Sequence, residues 1–222
     1  MLRDALLIAG KDLRLELRSR VALNQVLPFA LLVLVLFAFA LDPDKSVLTQ
    51  ATPGLYWIAV LFSALLALQR SFAIEAADGN RDALRLSGLD PAGIFLGKVL
   101  AVSAQLVVLE VLLGIGVAVL YTTRIEGWAL LVVSSVIATV SIAAAGTLFG
   151  VLAAGLRVRE TLLPLLLLPV LAPVLIGSTR SFEAAFAGSP SEGWPWVGLM
   201  SIFASLYIVA GVLGFGPLLE ES

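Results

Sequence analysis

An all-α, polytopic membrane protein with six crossing helices is the fold this sequence predicts, on three observations. Hydrophobic residues make up 60% of the 222 residues and charged residues only 14%, against about 25% charged in an ordinary soluble domain. The apolar residues gather into six stretches, each about as long as the roughly 20-residue helix that crosses a bilayer. Lys and Arg collect on one side when those stretches are threaded in order, as they do in short cytoplasmic loops.

Residues 1–20 come first. Leu2, Leu6, Ala9, Leu13 and Leu17 recur at spacings of three and four, so they share one helical face. Arg3, Lys11, Arg14, Arg18 and Arg20 are spread among them rather than gathered ahead of an apolar run, which is unlike a cleavable signal peptide. The pattern predicts an amphipathic helix at the cytoplasmic interface. Either it lies among lipid headgroups or it docks on its own protein.

The six apolar stretches are residues 21–41, 54–74, 97–121, 128–156, 161–178 and 195–219. They are continuous rather than alternating and too long for barrel strands of about 9–11 residues. Within lipid each must close its own backbone hydrogen bonds, which a helix does. Pro164, Pro169 and Pro173 each lack an N–H, so the fifth stretch is expected to kink or break. The outer connection that follows is read as Arg180 to Trp194.

An arrangement with the N-terminus inside leaves only Lys45, Arg124 and Arg180 outside among the basic residues. It also sets Trp57, Trp128, Trp194 and Trp196 at outer helix ends, where amphipathic rings prefer to sit. Both termini are then expected in the cytoplasm, the whole chain forming one membrane domain.

Composition excludes several functions. The sequence has no Cys and no His, and its Met residues are Met1 and Met200, which argues against a chain-borne transition-metal site or a conventionally ligated haem. No P-loop is present, so any ATP hydrolysis belongs to another chain. A net charge of -2 and the lack of a basic tract argue against a nucleic-acid partner.

Residues 75–96 form the longest loop and face the cytoplasm in this arrangement. Asp78-Gly79-Asn80 reads as a turn or cap, residues 81–86 as a short helix, and Asp90-Pro91 as the N-cap and first residue of the third span. A short helix on a firm turn between two spans suits docking to a soluble partner; otherwise it is a solvated cap on the bundle. The candidate interface residues are Glu75, Asp78, Gly79, Arg81, Asp82, Leu84, Arg85 and Leu86. Glu110 and Gln105 are polar within the third span. Glu110 must face the bundle interior or be protonated. It reads either as part of a translocation or proton-coupling surface or as a neutral acid bonded to Gln105, a serine or a backbone carbonyl. Gly93-xxx-Gly97 and Gly146-xxx-Gly150-xxx-Ala154 mark close-packing faces, within one chain or between two copies.

The whole pattern resembles the haem exporter protein B (CcmB) family within the six-span ABC-2-type permeases. The residues that carry the resemblance are Ser71-Phe72-Ala73-Ile74-Glu75, Asp78-Gly79, the leucine-bearing segment after them, and Gly97-Lys98-Val99-Leu100. The chain departs from the family pattern at Asn80-Arg81-Asp82, Arg85 and Ser87-Gly88-Leu89-Asp90. The resemblance implies a permease in the bacterial inner membrane, a separate ATPase partner CcmA that binds the ATP, and a second copy of the chain. It further implies association with CcmC, CcmD and CcmE and with membrane lipid, and a role in haem delivery for cytochrome c maturation. Haem would be a handled ligand, and ATP use would free the haem-loaded chaperone. The competing expectations are an exporter of another hydrophobic substrate, a proton-coupled transporter built on Glu110, and a non-transporting assembly scaffold.

Overall fold

The computed structural model describes residues 1–19, 26–41, 45–76, 88–121, 126–154 and 159–221. They form seven α-helices: α1 (Leu2–Ser19), α2 (Leu27–Leu41), α3 (Lys45–Ala76), α4 (Pro91–Tyr121), α5 (Trp128–Ala154), α6 (Arg159–Phe186) and α7 (Pro190–Glu221). Five of these, α3 to α7, are long and apolar enough to cross a membrane; α2 is apolar and has 15 described residues. At 1.5 Å per residue α2 covers about 22 Å. The remainder of the stretch read as the first span, residues 21–25, lies outside the described residues.

Burial is uneven. In α3 and α5 more than half of the span residues are buried, against a third or less in α4, α6 and α7. Side chains on the outer surface are large and apolar, among them Val119, Leu165, Ile202 and Leu213. Water would penalise such a surface; lipid does not. α5 lies against α3, α4, α6 and α7, and its small residues make room for them. Ala143, Ala144 and Ala145 are fully buried. A Cβ on Gly146 would run into Leu68, and one on Gly150 into Phe72, both of α3. The pair at this spacing therefore packs two helices of one chain; Ala154 closes α5, and its side chain lies outside the described set.

Hydroxyls inside the bundle satisfy themselves locally. Ser63, Ser141 and Ser181 donate to the carbonyls of Ala59, Ile137 and Gly177, one turn back on their own helices. Back-bonding of this kind removes a donor that lipid or apolar side chains leave unpaired.

Three expectations need correction. The fifth stretch does not break: α6 is one helix of 28 residues with Pro164, Pro169 and Pro173 inside it. Tyr207 of α7 donates to the Val170 carbonyl at 2.6 Å and ties this proline-bearing helix to its neighbour. The outer connection is not a loop from Arg180 to Trp194. α6 runs on to Phe186 and α7 opens at Pro190. Gly188 has a positive φ of 73°, and Ser189 N donates to the Ala184 carbonyl at 3.1 Å, the 6→1 bond of a glycine-terminated helix. Trp57, placed at a membrane interface from sequence, is 1% exposed. Its ring packs edge-on against Tyr56 and Phe182. Trp128 and Trp194 are exposed.

Candidate functional site

Two polar sites interrupt the apolar bundle. The first lies where α1 meets α3 and α4. Ala5, Ile8 and Ala9 give α1 a small buried face. Gly93 and Gly97 on α4 receive it: a Cβ at 97 would lie 2.6 Å from the Ala5 carbonyl and 2.7 Å from Ile8 Cβ, and one at 93 would lie 2.9 Å from the Met1 carbonyl. The first glycine pair thus seats α1, which docks on its own protein. Asp90 caps α4 through Oδ1, which accepts from Ala92 N at 3.1 Å, as its place before Pro91 predicts. Asp4 bonds the Asp90 amide at 3.4 Å. The α-amino group, hydrogen-bonded to Asp4, holds that carboxyl below its usual range, and the Asp90 amide adds to the effect.

Asp12 and Glu16 are one turn apart on α1, so they face the same side. Asp12 Oδ2 is 3.7 Å from Lys98 Nζ on α4, and Glu16 Oε2 is 4.0 Å from Arg70 Nε on α3. Lys98 is 2% exposed, and its ammonium sits 5.2 Å from the Phe72 ring centre. Lys11 lies 3.0 Å from Asp12. Arg70 precedes the end of α3 by under two turns, and Lys98 follows the start of α4 by two. α1 therefore bridges the two helices that flank residues 77–87. Of the candidate docking residues, Asp78, Gly79, Arg81, Asp82, Leu84, Arg85 and Leu86, with the side chain of Glu75, lie outside the described residues.

The second site surrounds Glu110, midway along α4 and 6% exposed. Its partner is neither Gln105 nor a serine. Gln105 is five residues away, about 140° around the helix at 100° per residue. Instead Glu110 Oε1 bonds Thr139 Oγ1 of α5, which is also 2.8 Å from the Ser135 carbonyl. One hydroxyl proton cannot serve both acceptors. A neutral carboxyl that donates its own proton to Thr139, while Thr139 donates to Ser135, satisfies both contacts and avoids a bare charge among apolar side chains. Tyr56 of α3 donates to the Glu110 main-chain carbonyl at 3.1 Å. Four helices thus meet here, since Phe182 of α6 stacks on Tyr56 at 5.2 Å.

Beside Glu110 is a cavity of about 420 Å³. Tyr56, Trp128, Phe182 and Phe186 line it, together with apolar residues of α4 and α5. Its size is that of a small-molecule pocket. Sequence reading found Glu110 and Lys98 but missed Tyr56, Thr139, Asp12 and Glu16 as their partners. Polar residues in otherwise apolar helices were the available signal, but the pairing depends on which helices touch. Among the described residues, no group of three or more Asp or Glu side chains is placed to hold a metal ion.

The sequence matches the family model described as "CcmB protein" over residues 3–215. It is 32% identical over 186 residues to Heme exporter protein B of Haemophilus influenzae, covering 84% of each chain. It is 31% identical over 187 residues to that of Pseudomonas aeruginosa, again with 84% of each covered. Against Heme exporter protein B of Bradyrhizobium diazoefficiens it is 31% identical over 209 residues, 92% of this chain and 90% of the relative. With nearly its whole length matched, this all-α polytopic membrane chain belongs to the CcmB family.

Proposed function

We propose that this chain is the membrane permease subunit of an ABC transporter that serves cytochrome c maturation, in the bacterial cytoplasmic membrane with both termini inside. The single observation that carries the reading is the family match from residue 3 to residue 215, which spans α1 and every crossing helix. Hydrolysis belongs to a separate ATPase of the CcmA type, and the haem-handling partners are of the CcmC, CcmD and CcmE type. Haem is cargo of the system. The chain has no His or Cys to hold its iron, so contact with it runs through apolar and weakly polar surface.

The mechanical part of the proposal uses the α1 site. Residues 77–87 are the docking segment for the ATPase. A push on that segment reaches the last turns of α3 and the first turns of α4 together. α1 is clamped to both, through Glu16 to Arg70 and Asp12 to Lys98, so the three move as one body. α5 lies against α3 through Gly146 and Gly150, and carries the displacement into the bundle.

Replacing Leu84 and Leu86 together by Asp tests the docking segment. The expected result is loss of ATPase co-purification in mild detergent while membrane insertion stays normal. Unchanged recovery of the ATPase defeats the docking assignment.

A further inference from the structure

The cavity at Glu110 has a shape and a chemistry that neither coupling nor packing uses. Its walls are Val107, Val111, Ile115, Val132 and Val136, and its far end is closed by Trp128 with Phe182 and Phe186. The rim is open: Val111, Ile115, Val132 and Val136 are each more than half exposed, on the same outer surface as the lipid-facing residues. The floor holds Glu110 at 6% exposure. Gly114 lines the cavity, and a Cβ there would meet nothing within 4 Å. The groove therefore opens sideways onto the lipid-facing surface, with the nearly buried Glu110 among its lining residues.

Glu110 Oε1 is taken by Thr139. Oε2 has no hydrogen-bond partner among the described residues, and Glu110 lines the cavity. With the proton of Glu110 directed to Thr139, Oε2 is a carbonyl-type acceptor. A plain hydrocarbon tail would fill the groove but leave that acceptor unmet. A second copy of the chain would present a helix face to the half-exposed rim residues, whereas Glu110 is only 6% exposed. A cation would have to shed its water in the apolar groove. We infer that the groove between α4 and α5 binds a neutral, membrane-soluble amphiphile that is apolar along its length and carries a hydroxyl, which donates to Glu110 Oε2.

Trp128 at the end of the groove is a built-in reporter. The purified full chain in nanodiscs is titrated with a dibrominated long-chain fatty alcohol and, separately, with its methyl ether, while tryptophan fluorescence is followed. The alcohol is expected to quench saturably, and the unlabelled alcohol to reverse it. The ether, which has no donor, is expected to bind about tenfold more weakly, as the loss of one buried hydrogen bond implies. Trp128→Phe lowers the amplitude of the saturable signal, leaving what Trp57 contributes beside Tyr56 and Phe182, and Glu110→Leu brings the alcohol down to the affinity of the ether. Gly114→Leu fills the groove and abolishes saturable quenching by both. Since the alcohol–ether comparison uses the unaltered protein, the test stands even where Glu110→Leu does not fold. Linear quenching, equal affinity for alcohol and ether, persistence in Gly114→Leu, or a saturable signal undiminished in Trp128→Phe would each overturn the assignment.

Discussion

Lys98 shows how a single residue ties the inner end of the molecule together. It is nearly buried, it faces Asp12 across a helix–helix contact, and its ammonium lies against the Phe72 ring. Charges removed from water are sustained only by close partners, and taking one partner away costs about 3–5 kcal/mol. Asp12 keeps Lys11 at 3.0 Å, which places Lys98→Met near the low end, about 3 kcal/mol. Thermal unfolding in detergent checks the figure. The double change Lys98→Met with Asp12→Leu should recover most of the loss, because no charge is then left facing an apolar neighbour. A single substitution without measurable effect would show that the pair is not coupled. Lys98 was legible in the sequence as the basic residue that opens the third span. Its partner was not, because Asp12 is one of several charges on a helix whose docking face the sequence left as one of two readings.

At the scale of the element, the glycine pairs carry the most information per residue. Gly97 faces backbone: the Ala5 carbonyl lies 2.6 Å from where a Cβ would be. A side chain tip can swing aside, but a main-chain carbonyl of a docked helix cannot move without the helix. Gly97→Leu is therefore expected to lift α1 from α4. The cost is about 1–3 kcal/mol, the usual range for overpacking, and protease should then cleave within α1. Gly10, with nothing within 4 Å of its Cβ position, provides the control: Gly10→Ala should leave α1 protected. Equal protection of α1 in both variants would remove Gly97 as the seat.

The same scale explains which element boundaries were legible. Apolar runs located α3 to α7, because a crossing helix must be apolar over its whole buried length. The outer end of α6 lies beyond the expected one because Arg180, where the apolar run stops, reads as the start of the outer connection. A helix that closes its own hydrogen bonds continues past the apolar layer, and there Arg180 and Glu183 pair at 2.8 Å one turn apart. Glycine at 188 then ends it. The prolines left a kink or a break open, and α6 runs through all three as one helix.

Taken whole, the molecule has two ends of different character. At one end, α1 is ion-paired to Lys98 and Arg70, on the two helices that flank residues 77–87 in sequence. At the other, helix ends are tied by backbone: Glu126 N and Gly127 N both donate to the Ala185 carbonyl, at 3.2 and 3.1 Å. Exposed Trp128 and Trp194 sit near this second end. The basic residues crowd the first end, and positive charge is retained on the cytoplasmic side of short loops. The proposed orientation, with α1 inside, rests on this charge bias. The lack of native cysteine makes the point directly measurable. Arg18→Cys on α1 and Ala187→Cys in the turn between α6 and α7 are both exposed positions. In intact spheroplasts a membrane-impermeant maleimide should label the second and spare the first until the membrane is opened. The reverse pattern would place α1 outside, away from any cytoplasmic ATPase, and the coupling proposal would fall with it.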